Sequence, residues 1–201
     1  MTNEIKRTIV EIGRRLYSRR LIAAYDGNIS CRADGGDGAV IWITPAGVNK
    51  GFLTEETLVG LDKDGRATEG GGTPSSESAL HLRVYRENPA ARAIVHAHPP
   101  AATALACMGR SLELPVLPEV LLTLGPVPLA PYAPPGSPGA AESAAPYART
   151  HNGVLLANHG AVTWADEPWK AYYYMEKLEH FADIILRIES AGGRAREIPD
   201  I

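Results

Sequence analysis

Cysteine is scarce in this chain: 2 of 201 residues, Cys31 and Cys107, neither in a CxxC or other metal-ligand spacing. Two isolated thiols argue against a disulfide-built scaffold and a thiol redox centre, and a reducing cytoplasm is the expected compartment. A basic excess is also lacking. The formal charge is −3, which argues against a nucleic-acid binder, whose footprint is a cationic surface. A local anion site stays open, because a few backbone amides can bind a phosphate inside an acidic protein. No apolar run approaches the ~20 residues of a membrane span, and the first twenty residues have no signal-peptide core. With 45% hydrophobic and 21% charged residues, a soluble chain forming one domain over residues 1–201 is expected.

What is present is periodicity. Ile5, Ile9, Ile12 and Leu16 recur at steps of four and three, the spacing of one helix face. The turn-rich YDGNISCRADGGDGAV follows, then a β-prone run from Val40 to Ile43 closed by Pro45. Asp64-Gly65 and the glycines 70–72 are hairpin-like signals. From Ser75 the pattern turns helical, with Ala79, Leu82 and Tyr85 on one stripe, and Asn88-Pro89 stops it. Ala93 to His96 reads as a short buried strand, and Pro99-Pro100 opens a helix to about Gly109. A proline-rich stretch mixes a short helix with extended chain; a modest helix is expected from Ala140 to Thr150. Strands are expected at Val154–Ala157 and Val162–Trp164. Asp166 can cap a long last helix carrying Ala171, Met175, Leu178, Ala182 and Ile185, ended by Gly192-Gly193. Its aromatics, Trp169, Tyr172, Tyr173, Tyr174 and Phe181, exceed what one core face needs. Strands and helices intermix without strict βαβ alternation, so the expected fold is α/β, a mixed sheet with helices on its faces.

Six histidines occur, and two of them carry the first chemical signal. His96 and His98 are two apart in a predicted strand, so both rings leave one face close together. Alone, such a pair also fits two polar residues on a solvated strand face. His159 adds a third imidazole: it follows VLLA, in NHG, at another predicted strand end. Three histidines with an open fourth position are how catalytic zinc is held, whereas structural zinc is closed by four ligands. His81 and His180 fall on predicted helices and read as packing or hydrogen-bonding residues; His151 sits in a turn.

Glu77 lies in TPSSES, with Ser75 and Ser76 at a predicted helix start. Unpaired N–H groups and the positive dipole end suit an anion there. Serine followed by an acid is equally the chemistry of an ordinary N-cap. Two further turns, Gly27-Asn28-Ile29-Ser30 and Thr44-Pro45-Ala46-Gly47, offer similar amide donors.

In this order GNIS, ITPAG, PSSE with a histidine four positions after the acid, HAHP and NHG resemble the class II aldolase/adducin family, most nearly its L-fuculose-phosphate aldolases. The likeness runs from about Tyr25 to the end of the last helix. It implies a three-layer α/β/α fold with a central mixed, largely antiparallel sheet, assembled as a homotetramer with sites at subunit boundaries. It further implies Zn2+ bound by His96, His98 and His159. Glu77 would cap the empty metal and swing off to serve as catalytic base, and Gly27, Asn28, Gly47, Ser75 and Ser76 would hold the substrate phosphate. The implied reaction is reversible cleavage of a ketose 1-phosphate, such as fuculose 1-phosphate, into dihydroxyacetone phosphate and an aldehyde through an enediolate. The related ribulose-phosphate epimerases typically carry aspartate where this chain has Glu77.

Three departures bear on that likeness. Ala46 stands where relatives often have serine or threonine, so one hydroxyl donor to phosphate is missing. Glu119 stands roughly where the fuculose enzymes have a tyrosine that protonates the aldehyde oxygen. The tail after Gly193 has no tyrosine, which leaves water or Glu119 for that task. Two other functions fit the same residues: decarboxylation of a 3-oxo sugar-acid phosphate, and a non-catalytic adducin-like binding module.

Overall fold

A computed structural model describes residues 2–33 and 40–199. The predicted first helix forms as α1, Thr2–Ser18, and buries Ile9, Ile12 and Leu16 completely. Burying each such side chain contributes roughly 1.5–3 kcal/mol. Eight strands follow: β1 Asn28–Arg32, β2 Ile41–Ile43, β3 Val59–Leu61, β4 Ala67–Glu69, β5 Ala93–Ala97, β6 Leu129–Ala130, β7 Gly153–Leu156 and β8 Gly160–Ala165. The other helices are α2 Ser78–Glu87, α3 Pro100–Cys107, α4 Pro118–Leu121, α5 Pro138–Ala144 and α6 Pro168–Ser190.

All eight strands join one sheet in the order β4-β3-β2-β1-β5-β8-β7-β6. Every pairing is antiparallel except β6 with β7. The central strand β5 divides two cores by its period of two. Ala93, Val95 and Ala97 face α1, α3 and α6, whereas Ile94 packs with α2 and α5 on the other side. The three-layer α/β/α reading with a mixed, largely antiparallel sheet is the observed architecture. Among the described residues, no helix is long and apolar enough to cross a membrane.

Local departures from the sequence reading have physical causes. The turn-rich YDGNIS passage enters a strand at Asn28, because β1 lies between β2 and β5 with both faces buried; residues 34–39 of that passage lie outside the described residues. Helix α2 begins at Ser78, not Ser75, since Ser75 N–H is drawn to the Thr44 carbonyl at 3.3 Å. Asp166 does not cap α6: Glu167 is the N-cap residue, and Asp166 pairs with Lys170 at 2.9 Å. The aromatics of α6 are mostly consumed by the core. Tyr172, Tyr174 and Phe181 are buried, and of the five only Tyr173 is exposed.

Candidate metal centre

His96 lies near the end of β5 on the face of α2, and its backbone is opposite Asn28 on β1 and Val162 on β8. Its Nδ1 is 2.9 Å from the Ala161 carbonyl, which only accepts, so Nδ1 carries a proton and Nε2 is the nitrogen turned to the cluster. His98 follows just beyond the strand, its N–H donating to the Leu21 carbonyl at 3.1 Å. His159 occupies the tight turn between β7 and β8, where Asn158 takes a left-handed φ of 55°. The turn can close on the pair because residue 160 is glycine. A Cβ there would stand 2.5 Å from the Ala97 carbonyl and 2.7 Å from the His98 ring.

The three imidazoles converge. Their ring centroids are 4.9, 4.7 and 4.9 Å apart, and one ligand nitrogen from each lies within 4.8 Å of the others. His96 Nε2 and His98 Nε2 are 3.1 Å apart. Asp26 Oδ2 stands 3.5 Å from His98 Nδ1, on the side away from the cluster, and so favours the tautomer whose Nε2 is free. Burial, reinforced by charge on His96, pushes both His98 and His159 down to about 4. Both rings are therefore neutral ligands at neutral pH.

Glu77 completes the cluster from the N-cap position of α2. Its carboxylate makes no capping hydrogen bond; the ordinary-cap alternative is set aside by where the side chain goes. Oε2 lies 3.0 Å from His96 Nε2 and accepts from Asn28 Nδ2 at 2.9 Å, while Oε1 lies 3.6 Å from His159 Nε2. Burial alone would raise the carboxyl pKa. The charge and hydrogen bond of His96 outweigh it and hold Glu77 well below the usual carboxylate range. His96 moves the opposite way: burial would lower it, and the facing carboxylate raises it.

Residues 7–186 match the class II aldolase and adducin N-terminal domain family. The chain belongs to that family. It is 36% identical over 200 residues to a 3-oxo-tetronate 4-phosphate decarboxylase of Haemophilus influenzae, covering 97% of this chain and 92% of that one. It is 34% identical to an L-fuculose phosphate aldolase of Methanococcus maripaludis, covering 87% and 92%. The solved L-fuculose-1-phosphate aldolase of Thermus thermophilus superposes with a TM-score of 0.82 at 34% identity, covering 96% and 98%.

Class II aldolases are typically metal-dependent, and the residues of this family member fit a divalent cation. Glu77 Oε1 is buried without a hydrogen-bond partner, and a cation would relieve that orphaned acceptor. Neutral imidazoles aimed at one point suit a borderline metal such as zinc.

Three turns predicted as amide donors are brought together beside this cluster. Thr44 bridges the first two: its Oγ1 accepts from Ile29 N–H at 3.2 Å, and its N–H donates to the Ile29 carbonyl at 3.0 Å. The Ala46 N–H donates to the Thr73 carbonyl at 2.9 Å, which ties the second turn to the Ser75-Ser76 turn. Gly27 has φ 70°, and a Cβ on it would lie 2.7 Å from the His96 carbonyl; Gly47 has φ 69° and faces open space. Ser75 is buried, with its Oγ accepting from Glu77 N–H at 3.3 Å, and Ser76 is exposed. The side chain of Asn28 is committed to Glu77 and His81.

Sequence reasoning missed the brace beneath these turns. Lys50 is 2% exposed, and its ammonium donates to the carbonyls of Tyr25 and Val48 at 2.7 Å and of Pro45 at 3.5 Å. Burial pulls it down to about 8, against the opposing pull of Asp26 and Glu77, so it remains a cation at neutral pH. Nothing in NKGF marks such a residue, because its three acceptors are backbone. Lys50→Met removes the charged donor from all three carbonyls, and is expected to lower stability by about 2–4 kcal/mol. A denaturation midpoint equal to wild type would remove Lys50 from this role.

Asp26 also escaped notice, although it directly precedes the Gly-Asn turn. His81 proved a buried hydrogen-bonding residue, bound to Ser30 and Asn28, as its helical position implied. His180 lies on α6 and His151 in the turn before β7, outside the cluster. Glu119 lies exposed in the first turn of α4, where Lys177 takes its backbone carbonyl at 3.1 Å. No described contact links it to the triad.

Proposed function

We propose that this chain is a zinc-dependent carbon–carbon lyase that cleaves a ketose 1-phosphate, of the fuculose 1-phosphate kind, into dihydroxyacetone phosphate and an aldehyde. One observation carries the reading: a buried, ionised carboxylate, Glu77, stands against a convergent three-imidazole cluster. His96, His98 and His159 would hold the zinc, with Glu77 as a further ligand in its substrate-free state. When bound, the ion supplies Lewis-acid polarisation of the substrate carbonyl and makes the neighbouring C–H more acidic. Glu77 moves the proton at that carbon. In cleavage, the electron pair of the broken C–C bond enters the enediolate of dihydroxyacetone phosphate, and Glu77, released from the cluster by substrate and protonated from solvent, gives that proton to it. The turns carrying Gly27, Asn28, Gly47, Ser75 and Ser76 would receive the phosphate, mainly through backbone amides.

A second reading, decarboxylation of a 3-oxo-tetronate 4-phosphate, is favoured by a specific feature. Aldol cleavage needs a group to take the hydroxyl proton of the departing aldehyde, and Glu119, the sequence candidate, lies exposed on α4 with no described contact to the cluster. Carbon dioxide leaves without such a proton, and the same enediolate then receives one from Glu77. Both substrates yield dihydroxyacetone phosphate, so the co-product discriminates. Incubation of the zinc-loaded protein with ketose 1-phosphates is expected to release an aldehyde. Release of carbon dioxide from the oxo acid, with no aldehyde from any ketose, would replace aldolase by decarboxylase. Turnover of neither, in protein purified without stoichiometric metal, would return the adducin-like binding module. A homotetramer forms part of the proposal, with equilibrium sedimentation as its check.

A further inference from the structure

A buried file of hydrogen bonds runs from Glu77 between β1 and α2, on the α2 face of the sheet. Asn28 Nδ2 donates to Glu77 Oε2 at 2.9 Å, and Asn28 Oδ1 lies 2.5 Å from His81 Nε2. His81 Nδ1 lies 2.6 Å from Ser30 Oγ, which lies 2.9 Å from the Tyr85 hydroxyl. Ser30 and His81 are fully buried, Asn28 and Tyr85 are 3% exposed, and Glu77 is 8% exposed. The polar atoms along the file must therefore satisfy one another.

Their chemistry fixes the direction of every proton. An ionised carboxylate only accepts, so the Asn28 amide must turn its NH2 to Glu77 and its oxygen to His81. That oxygen also only accepts, so His81 carries its proton on Nε2. Nδ1 is then an acceptor, Ser30 donates to it, and the Tyr85 hydroxyl donates to Ser30. Burial keeps His81 neutral, down to about 3, as a single-proton relay requires.

We propose that His81, backed by Ser30 and Tyr85, is a positioning residue that locks the Asn28 amide and so aims Glu77. The inference rests on Glu77 being the base. Oε2 is held by Asn28, whereas Oε1 has no hydrogen-bond partner and is the oxygen left to take the proton. If His81 bore its proton on Nδ1, its bare Nε2 would face Asn28. The amide would then flip and set its oxygen against the carboxylate, pushing Glu77 from its aim. A histidine that merely fills space has no such tautomer requirement.

The test reads the tautomer directly, in zinc-loaded protein labelled with 15N-histidine. The His81 ring shifts are expected to report the Nε2–H form. Ser30→Ala removes the donor to Nδ1 and is expected to mix the tautomers and lower kcat by about 10–100-fold, the usual effect of losing an outer partner. KM and zinc content should stay at wild-type values. His81→Gln keeps an N–H for Asn28 and an oxygen for Ser30, and is expected to exceed His81→Leu in kcat. An Nδ1–H tautomer in the wild type, or Ser30→Ala with undiminished kcat beside an active Glu77-dependent wild type, overturns the relay. If Glu77→Gln itself keeps full turnover, the base assignment falls instead, and the tautomer reading stands on its own.

Discussion

Glu77→Gln is expected to lower turnover by about two to four orders of magnitude, the range for loss of a general acid–base group. The protein should remain folded and metal-loaded. The substitution is close to isosteric, and the amide can still accept from Asn28 through its oxygen. What it cannot do is take a proton. Aspartate at the same place would fail differently. Its shorter side chain would withdraw the carboxylate from His96 and His159, now 3.0 and 3.6 Å away, while keeping its charge. Comparing the two variants separates the need for a base from the need for a negative charge beside the cluster. Turnover of Glu77→Gln within a factor of two of wild type would end the assignment of Glu77 as base, whatever the metal content.

Much of this arrangement was legible in the sequence because short spacing rules govern it. His96 and His98 share a face by strand periodicity alone, and the Pro-Pro that follows ends the strand where the site begins. The glycine after His159 signalled a turn, and its structural reason is sharper: any side chain at 160 would collide with His98. The helices α1 and α6 followed from apolar spacing. β1 did not, since its buried polar residues, Asn28 and Ser30, read as turn formers. Their burial makes sense only once His81 and Glu77 arrive from 49 to 53 residues away. Lys50 was invisible for the same reason, since backbone carbonyls brought near by tertiary structure leave no trace in neighbouring residue types. The capping ambiguity at Glu77 could be resolved only by seeing which way its side chain turns.

Breaking the triad should have the other large effect, and its pH dependence carries the finer information. His159→Ala leaves two imidazoles and is expected to lose stoichiometric zinc on dialysis. Turnover should fall by about a thousandfold or more, since a Lewis acid supplies several kcal/mol of transition-state stabilisation. In the wild type, zinc must displace whatever protons the ligands hold. His98 and His159, at about 4, hold none near neutrality. His96, raised by the Glu77 carboxylate, is the ring that competes. The signs then follow directly. Below the His96 pKa one proton leaves for each ion bound, so the logarithm of zinc affinity should climb by about one per pH unit, and above it the curve should flatten. Glu77→Gln removes the charge that raises His96 and should carry the break to lower pH, even as direct loss of a ligand weakens binding on the plateau. A slope near three around pH 6 would mean that all three rings are protonated there, contradicting the burial that keeps two of them neutral. A break at the same pH in both proteins would mean that Glu77 does not govern the charge of His96, and the electrostatic pairing at the centre of this site would have to be abandoned.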